Sequence, residues 1–215
     1  MKIAVIGATG FVGSQIVKEL ASRNHSVTAI SRKVSNSSEG HVHYIAADIL
    51  NADELVEALK GHDVVVSAFN AGWTNPNLYN DFLSGSKAIQ EAVKQSGVKR
   101  YIIIGGAGSL YAAENLQLVD TAEFPKEIYP GASAARDYLN FLKEEKELDW
   151  VFFSPAIEMH QGITTGRTGK YRLGKDYPVF DDNQRSVLSV EDLAVVIADE
   201  VEKSQHHQTR FTAAY

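Results

Sequence analysis

The stretch Gly7-Ala8-Thr9-Gly10-Phe11-Val12-Gly13 constrains the fold more than any other part of the chain. A continuous apolar run, Lys2–Ile6, precedes it and suits a strand covered on both faces. Val12, Ile16 and Leu20 then recur at helical spacing along residues 11–23. A strand, a glycine turn and a helix in that order meet three needs. One glycine turns the chain out of the strand, one lets backbone N–H groups approach a diphosphate, and one lets helix and strand pack closely. The helix N-terminus offers its positive dipole end to the anion, and no acid before Glu19 opposes it. In this context the turn reads as a dinucleotide loop with Gly7, Thr9, Gly10, Phe11, Val12 and Gly13 as its contacts. The alternative is a tight turn without a ligand.

Downstream, short apolar runs alternate with helical patterns. Strands are expected at 27–31, Val42–Ala46, 63–67, Arg100–Ile104 and 150–154, with a closing strand at 210–214. Asn51 and Ser189 are expected to cap helices, each with an acid three residues on (Glu54, Asp192), and Gly97 closes a helix over 78–95. A further helix is expected over 132–147. Strand–helix–strand repetition means parallel pairing with right-handed crossovers, hence an α/β, doubly wound parallel sheet. No repeat or linker divides the 215 residues, so a single domain over 1–215 is expected. Irregular stretches at about 72–77, 105–131 and 155–186 each follow a strand's C-terminal end, where ligands of open α/β sheets bind.

Composition narrows the function classes. Twenty-seven acids against 21 Lys and Arg give a net charge of −6, which argues against a nucleic-acid binder or a polybasic membrane binder. The apolar stretch at the N-terminus is too short for a secretory signal, and no run approaches a membrane span. The absence of cysteine excludes disulfides, thiolate nucleophiles and Cys-ligated metals. A cytoplasmic location is expected, as is a monomer or small homo-oligomer acting on a small-molecule substrate.

The second strand ends Ile30-Ser31-Arg32-Lys33, with no acid until Glu39. NAD enzymes place an acid there for the ribose hydroxyls. Ser31 can instead donate to a 2′-phosphate, and Arg32 offers a planar fork that suits it. NADP(H) is therefore preferred, with NAD(H) as the alternative.

The glycine turn resembles that of the short-chain dehydrogenase/reductases. So do Asp48-Ile49, Asn70-Ala71-Gly72, Gly105-Gly106 and Ser154-Pro155-Ala156, which follow the third to sixth strands, and the ending Phe211-Thr212-Ala213. More narrowly, the chain resembles the atypical single-domain NAD(P)-binding group related to the NAD-dependent epimerase/dehydratases and the biliverdin/flavin reductases. The resemblance implies a Rossmann fold. It also implies cofactor contacts at Asp48, Ile49, Ala68, Phe69, Asn70, Gly105, Gly106, Ser154, Pro155 and Ala156, with Asp48 near adenine and Ser154-Pro155-Ala156 beside the nicotinamide. Asp48 has a second reading as a capping acid near Asn51. By the same resemblance Ser109 and Tyr129 stand near the catalytic serine and tyrosine positions, although Ser109 reads equally well as a loop serine bonded to local backbone.

The resemblance is incomplete at the proton donor. The family carries Tyr-x-x-x-Lys, whereas Tyr129 is followed four residues on by Ser133, and Tyr138 by Leu142. Without the lysine, a phenol near a pKa of about 10 is a poor acid at neutral pH. A conjugated acceptor that delocalises charge needs less help than a carbonyl does, so the expected activity is hydride transfer from NADPH to a flavin-like or conjugated acceptor. The alternatives are a non-catalytic NADP(H)-binding redox sensor and, more remotely, a sugar-nucleotide epimerase or dehydratase. Arg167, Lys170, Arg172 and Lys175 form an acid-free basic segment that can attract an anionic substrate, but glycine-bounded alternation over 169–174 favours a solvated hairpin. Trp73, Tyr79, Phe82, Tyr111 and Tyr129 are candidates for an aromatic pocket, with core packing as the competing reading. No histidine set has metal spacing.

Overall fold

Strands that alternate two sets of apolar side chains must be covered on both sides, and the chain covers them with helices. The computed structural model describes residues 1–34 and 37–215. The strands are β1 (Lys2–Ile6), β2 (Ser26–Ser31), β3 (Ser37–Glu39), β4 (Val42–Ala46), β5 (Val64–Ser67), β6 (Arg100–Ile104), β7 (Tyr111–Ala113), β8 (Leu116–Gln117), β9 (Asp149–Ser154), β10 (Arg172–Gly174) and β11 (Thr209–Ala214). The helices are α1 (Phe11–Ser22), α2 (Ala52–Leu59), α3 (Leu78–Ser96), α4 (Tyr129–Leu142) and α5 (Val190–Lys203).

The main sheet runs β10-β11-β9-β6-β5-β1-β2-β4-β3. It is parallel from β4 through β11, with short antiparallel strands β3 and β10 at its margins. Ile3 and Val5 face the layer of α1 and α5, where they meet Ile16, Leu20, Leu193 and Ile197. Their neighbours Ala4 and Ile6 face α2, α3 and α4, among Leu55, Phe82, Ile89 and Tyr138. This is the two-residue period of a strand read into two cores. From β1 the chain winds outward through β2 and β4, then returns to lay β5 on the other side of β1. That reversal opens a crevice at the C-terminal ends of β1 and β5, the usual ligand position in such sheets.

Both helix caps form. The Asn51 side chain accepts from the Glu54 N–H at 3.4 Å, and the Ser189 hydroxyl accepts from the Asp192 N–H at 3.0 Å. Gly97 closes α3 in the left-handed region. Three expectations need correction. The run 169–174 is no local hairpin, because its strand β10 pairs antiparallel with β11, Leu173 opposite Ala213. α4 starts at Tyr129, since Pro130 fits the first helical turn, and it stops at Leu142, short of 147. The stretch 105–131 is partly ordered by a 3-10 turn at Ala107–Ser109 and by the β7–β8 ladder.

Candidate functional site

The glycine turn is built as the sequence requires. Gly7 has φ +77°, and a Cβ there would lie 2.6 Å from the Ala68 carbonyl oxygen. At Gly13 a Cβ would lie 2.1 Å from the Gly7 carbonyl oxygen, so α1 can press onto the turn only without a side chain. Gly10 caps α1 by backbone alone, and the first turn of α1 carries neither a side-chain cap nor an acid. The first N–H groups of a helix have no partner within it, so those of Phe11, Val12 and Gly13 remain available to an anion. The Thr9 and Ser31 hydroxyls lie 2.9 Å apart and tie the turn to the end of β2.

A cavity of about 400 Å³ opens beside this turn. Gly7, Thr9, Gly10, Ser31 and Arg32 line it from the β1 and β2 ends. Asp48, Ile49, Ala68, Phe69 and Asn70 line it from the ends of β4 and β5. Asp48 also accepts from the Leu50 N–H at 3.0 Å, so it both faces the cavity and shapes the turn before α2. Asn70 likewise accepts from the Gly72 N–H at 2.7 Å. Arg32 has no ion pair among the described residues. A bare glycine cradle, an uncapped helix start and a neighbouring cation together fit a nicotinamide dinucleotide.

The sequence reading missed several lining residues: Ala71, Asn75, Asp81 and Ser84. It also missed Gly85, where a Cβ would lie 2.6 Å from the Phe69 ring and 3.0 Å from Ile49 Cδ1. Phe69 in turn stacks on Phe82 at 5.9 Å, so Gly85 lets α3 close against the cavity wall. The available signal was a glycine in a helix interior, which costs about 1 kcal/mol and calls for a packing reason.

Of the other predicted contacts, Phe11, Val12 and Gly13 stand at the start of α1 outside the cavity lining, and Gly105, Gly106 and Ser154 to Ala156 lie along the ends of β6 and β9. The Gly105 N–H donates to the Phe153 carbonyl at 2.8 Å, and a Cβ at Gly105 would fall 2.0 Å from the Phe152 ring. Gly106 has ordinary room for a Cβ, 3.6 Å from the Ala135 methyl. Ser154, Pro155 and Ala156 are buried.

The two catalytic candidates part company. Ser109 has no exposure; its hydroxyl donates to the Gly106 carbonyl at 2.9 Å and lies 2.9 Å from the Ser154 hydroxyl. This agrees with the reading of Ser109 as a loop serine bonded to local backbone, since the 3-10 turn aims the hydroxyl into the protein. Its carbonyl is held by the buried Arg210, which also pairs with Asp176. Tyr129 is 45 % exposed at the start of α4, and its ring meets Phe124 edge-on at 6.4 Å. Ser133, in the place of the missing lysine, donates to the Tyr129 carbonyl at 2.7 Å and not to the phenol.

Neighbouring phenols are poor acids too. The Asp137 carboxylate, which accepts from the Tyr79 hydroxyl at 2.7 Å, holds that phenol above its usual value. Burial lifts Tyr101 to about 12 and Tyr138 well above the usual phenol range. Phe82 is core and Tyr111 packs against Tyr177, leaving Trp73 and Tyr129 as the exposed members of the aromatic set. The basic segment is partly neutralised: Arg167 grips Glu19 at 2.8 and 2.9 Å, and Arg172 donates to the Phe180 and Tyr215 carbonyls. Among the described residues, no group of three or more His, Asp or Glu could hold a metal ion. No described helix is long and apolar enough to cross a membrane.

Comparison with known proteins agrees with this geometry. The profile of the NAD(P)H-binding family matches residues 7–204. The chain belongs to that family. The uncharacterized Bacillus subtilis protein YwnB is 36 % identical over 214 residues, covering 99 % of this chain and 97 % of that one. A crystal structure of a candidate epimerase from Bacteroides thetaiotaomicron is 44 % identical with a TM-score of 0.90, covering 100 % of this chain and 96 % of that one. A candidate NADH-flavin reductase from Streptococcus pneumoniae is 34 % identical with a TM-score of 0.85, covering 100 % and 99 %. This NAD(P)H-binding chain therefore shares its whole extent with oxidoreductase-like and epimerase-like folds.

Proposed function

We propose that this chain is an NADPH-dependent reductase that delivers hydride to a flavin-like or otherwise conjugated acceptor. The observation that carries the reading is the missing proton-donor pair. Ser109 spends its hydroxyl inside the protein, and Tyr129 has Ser133 where a lysine would lower its pKa. When bound, the nicotinamide supplies a hydride. The chain's own work is then to hold the cofactor at the glycine turn and to place an acceptor that disperses the incoming electron pair over its own ring system and takes a proton from water. Alignment at about 3–3.5 Å supplies much of the barrier reduction in such a transfer. The likeness to the Streptococcus pneumoniae protein supports this reading.

NADPH is preferred over NADH because Ser31 and Arg32 border the cavity where NAD enzymes carry an acid. A cysteine-free chain fits a cytoplasmic location, which cell fractionation checks.

The test is NADPH oxidation against a panel of flavins and quinones, run beside dissociation constants for both reduced cofactors. Acceptor-dependent turnover with tighter NADPH supports the reading. Firm cofactor binding without turnover on any acceptor rejects it. That outcome favours the second reading, a non-catalytic sensor of the NADP⁺/NADPH ratio, which the same missing lysine allows. An epimerase reading is weaker, because oxidising a sugar alcohol needs the base that Tyr129 lacks.

A further inference from the structure

We propose that Trp73, with Tyr129 and Phe124, forms an acceptor shelf at the rim of the cofactor cavity, on which a planar conjugated ring stacks. The inference rests on the reductase reading and adds which residues select the substrate. Trp73 is 60 % exposed, an unusual position for an indole unless it has something to cover. It stands in the segment after β5 between Ala71 and Asn75, both of which line the cavity. Trp73 is thus flanked in the chain by two residues of the cavity wall.

The opening turn of α4 holds the indole in place. A Cβ on Gly131 would lie 2.8 Å from Trp73 Cζ3 and 3.1 Å from Leu78 Cδ2, so the bare glycine leaves the recess in which the indole rests. Tyr129 stands two residues earlier, half exposed, with its ring braced edge-on by Phe124. An exposed indole and a braced phenol therefore both stand at the start of α4. Flat π-faces of this kind hold flat π-systems and give a non-planar carbonyl compound little. Among the aromatic candidates in this region the others are occupied: Phe82 stacks on Phe69, and Tyr79 donates to Asp137.

The experiment separates binding from turnover. Protein saturated with NADP⁺, which has no hydride to give, is titrated with lumiflavin, and the fall in flavin emission reports stacking. The wild-type protein is expected to quench saturably. Trp73→Ala should weaken binding about tenfold, the size expected for one stacked ring, while Trp73→Phe should stay within about threefold of wild type. Gly131→Ala favours the helix but drives a methyl against the indole and Leu78, so the folded variant should bind severalfold more weakly. Circular dichroism checks that each variant is folded. Absence of quenching by the wild-type protein at millimolar lumiflavin overturns the shelf, as does an unchanged dissociation constant in folded Trp73→Ala. Trp73-dependent quenching without NADPH oxidation by any flavin or quinone leaves the shelf standing and rejects the reductase reading. NADPH oxidation with a flavin KM indifferent to Trp73 does the reverse.

Discussion

At the scale of single residues, the site divides into positions fixed by backbone geometry and positions fixed by side-chain company. Gly7 belongs to the first kind: its left-handed φ and the Ala68 carbonyl at 2.6 Å each forbid a side chain. Gly7→Ala is expected to cost at least about 2 kcal/mol in a urea melt and to abolish cofactor binding. Arg32 belongs to the second kind. If it holds a 2′-phosphate, Arg32→Ala removes a charge-assisted contact of about 1.5–3 kcal/mol. NADPH affinity should then fall roughly ten- to hundredfold while NADH affinity stays level, as read by reduced-nicotinamide fluorescence. The backbone-fixed residues were legible in the sequence because glycine spacing alone expresses their constraint. Ser109 was legible only as two open readings, since the choice between them depends on a 3-10 turn and on Ser154, 45 residues away, both of which draw its hydroxyl inward.

Elements were legible where their signals are local. The glycine-bounded α3 and the capped α2 and α5 follow from side chains within a turn of each helix end, and the core strands follow from unbroken apolar runs. β10 has the alternation of a strand, but its partner is the remote β11, and sequence spacing carries no information about a pairing of that range. β3 is three exposed polar residues, with no apolar face to announce it. Ser189 offers a test of a cap that does more than cap. Its hydroxyl accepts from the Asp192 N–H and donates to the Gly166 carbonyl at 2.7 Å, and the Tyr215 hydroxyl lies 2.9 Å away. Loss of an ordinary N-cap costs about 1 kcal/mol. Ser189→Ala is expected to cost about 2 kcal/mol in thermal or urea unfolding, because the partly buried Gly166 carbonyl loses its donor as well.

For the whole molecule, acid stability follows from carboxylates held below their usual range. Burial alone would raise Glu145, but the Glu147 N–H, Gln90 and Lys94 outweigh it and bring the group from 4.5 to about 2. Burial opposes Asp199 in the same way, yet Lys203, Tyr171 and Arg23 bring it from 3.8 to about 2. Each group releases its proton more readily when folded, so its contribution is complete above about 4.5 and is lost as the pH falls toward about 2. Stability should therefore stay level with respect to these groups from neutral pH down to about 4.5 and then drop. Glu145→Gln should be less stable than wild type at pH 7, and the two unfolding curves should converge near pH 2.

The short antiparallel strands at the sheet margins carry a consequence for colloidal behaviour. Each is three residues long, one polar throughout and the other opening with Arg172, so a neighbouring molecule finds almost no free ladder on which to lengthen the sheet. A protein finished in this way should stay dispersed in concentrated solution despite its largely apolar central strands, and grafting a longer, uncharged segment onto either margin should be enough to make it self-associate.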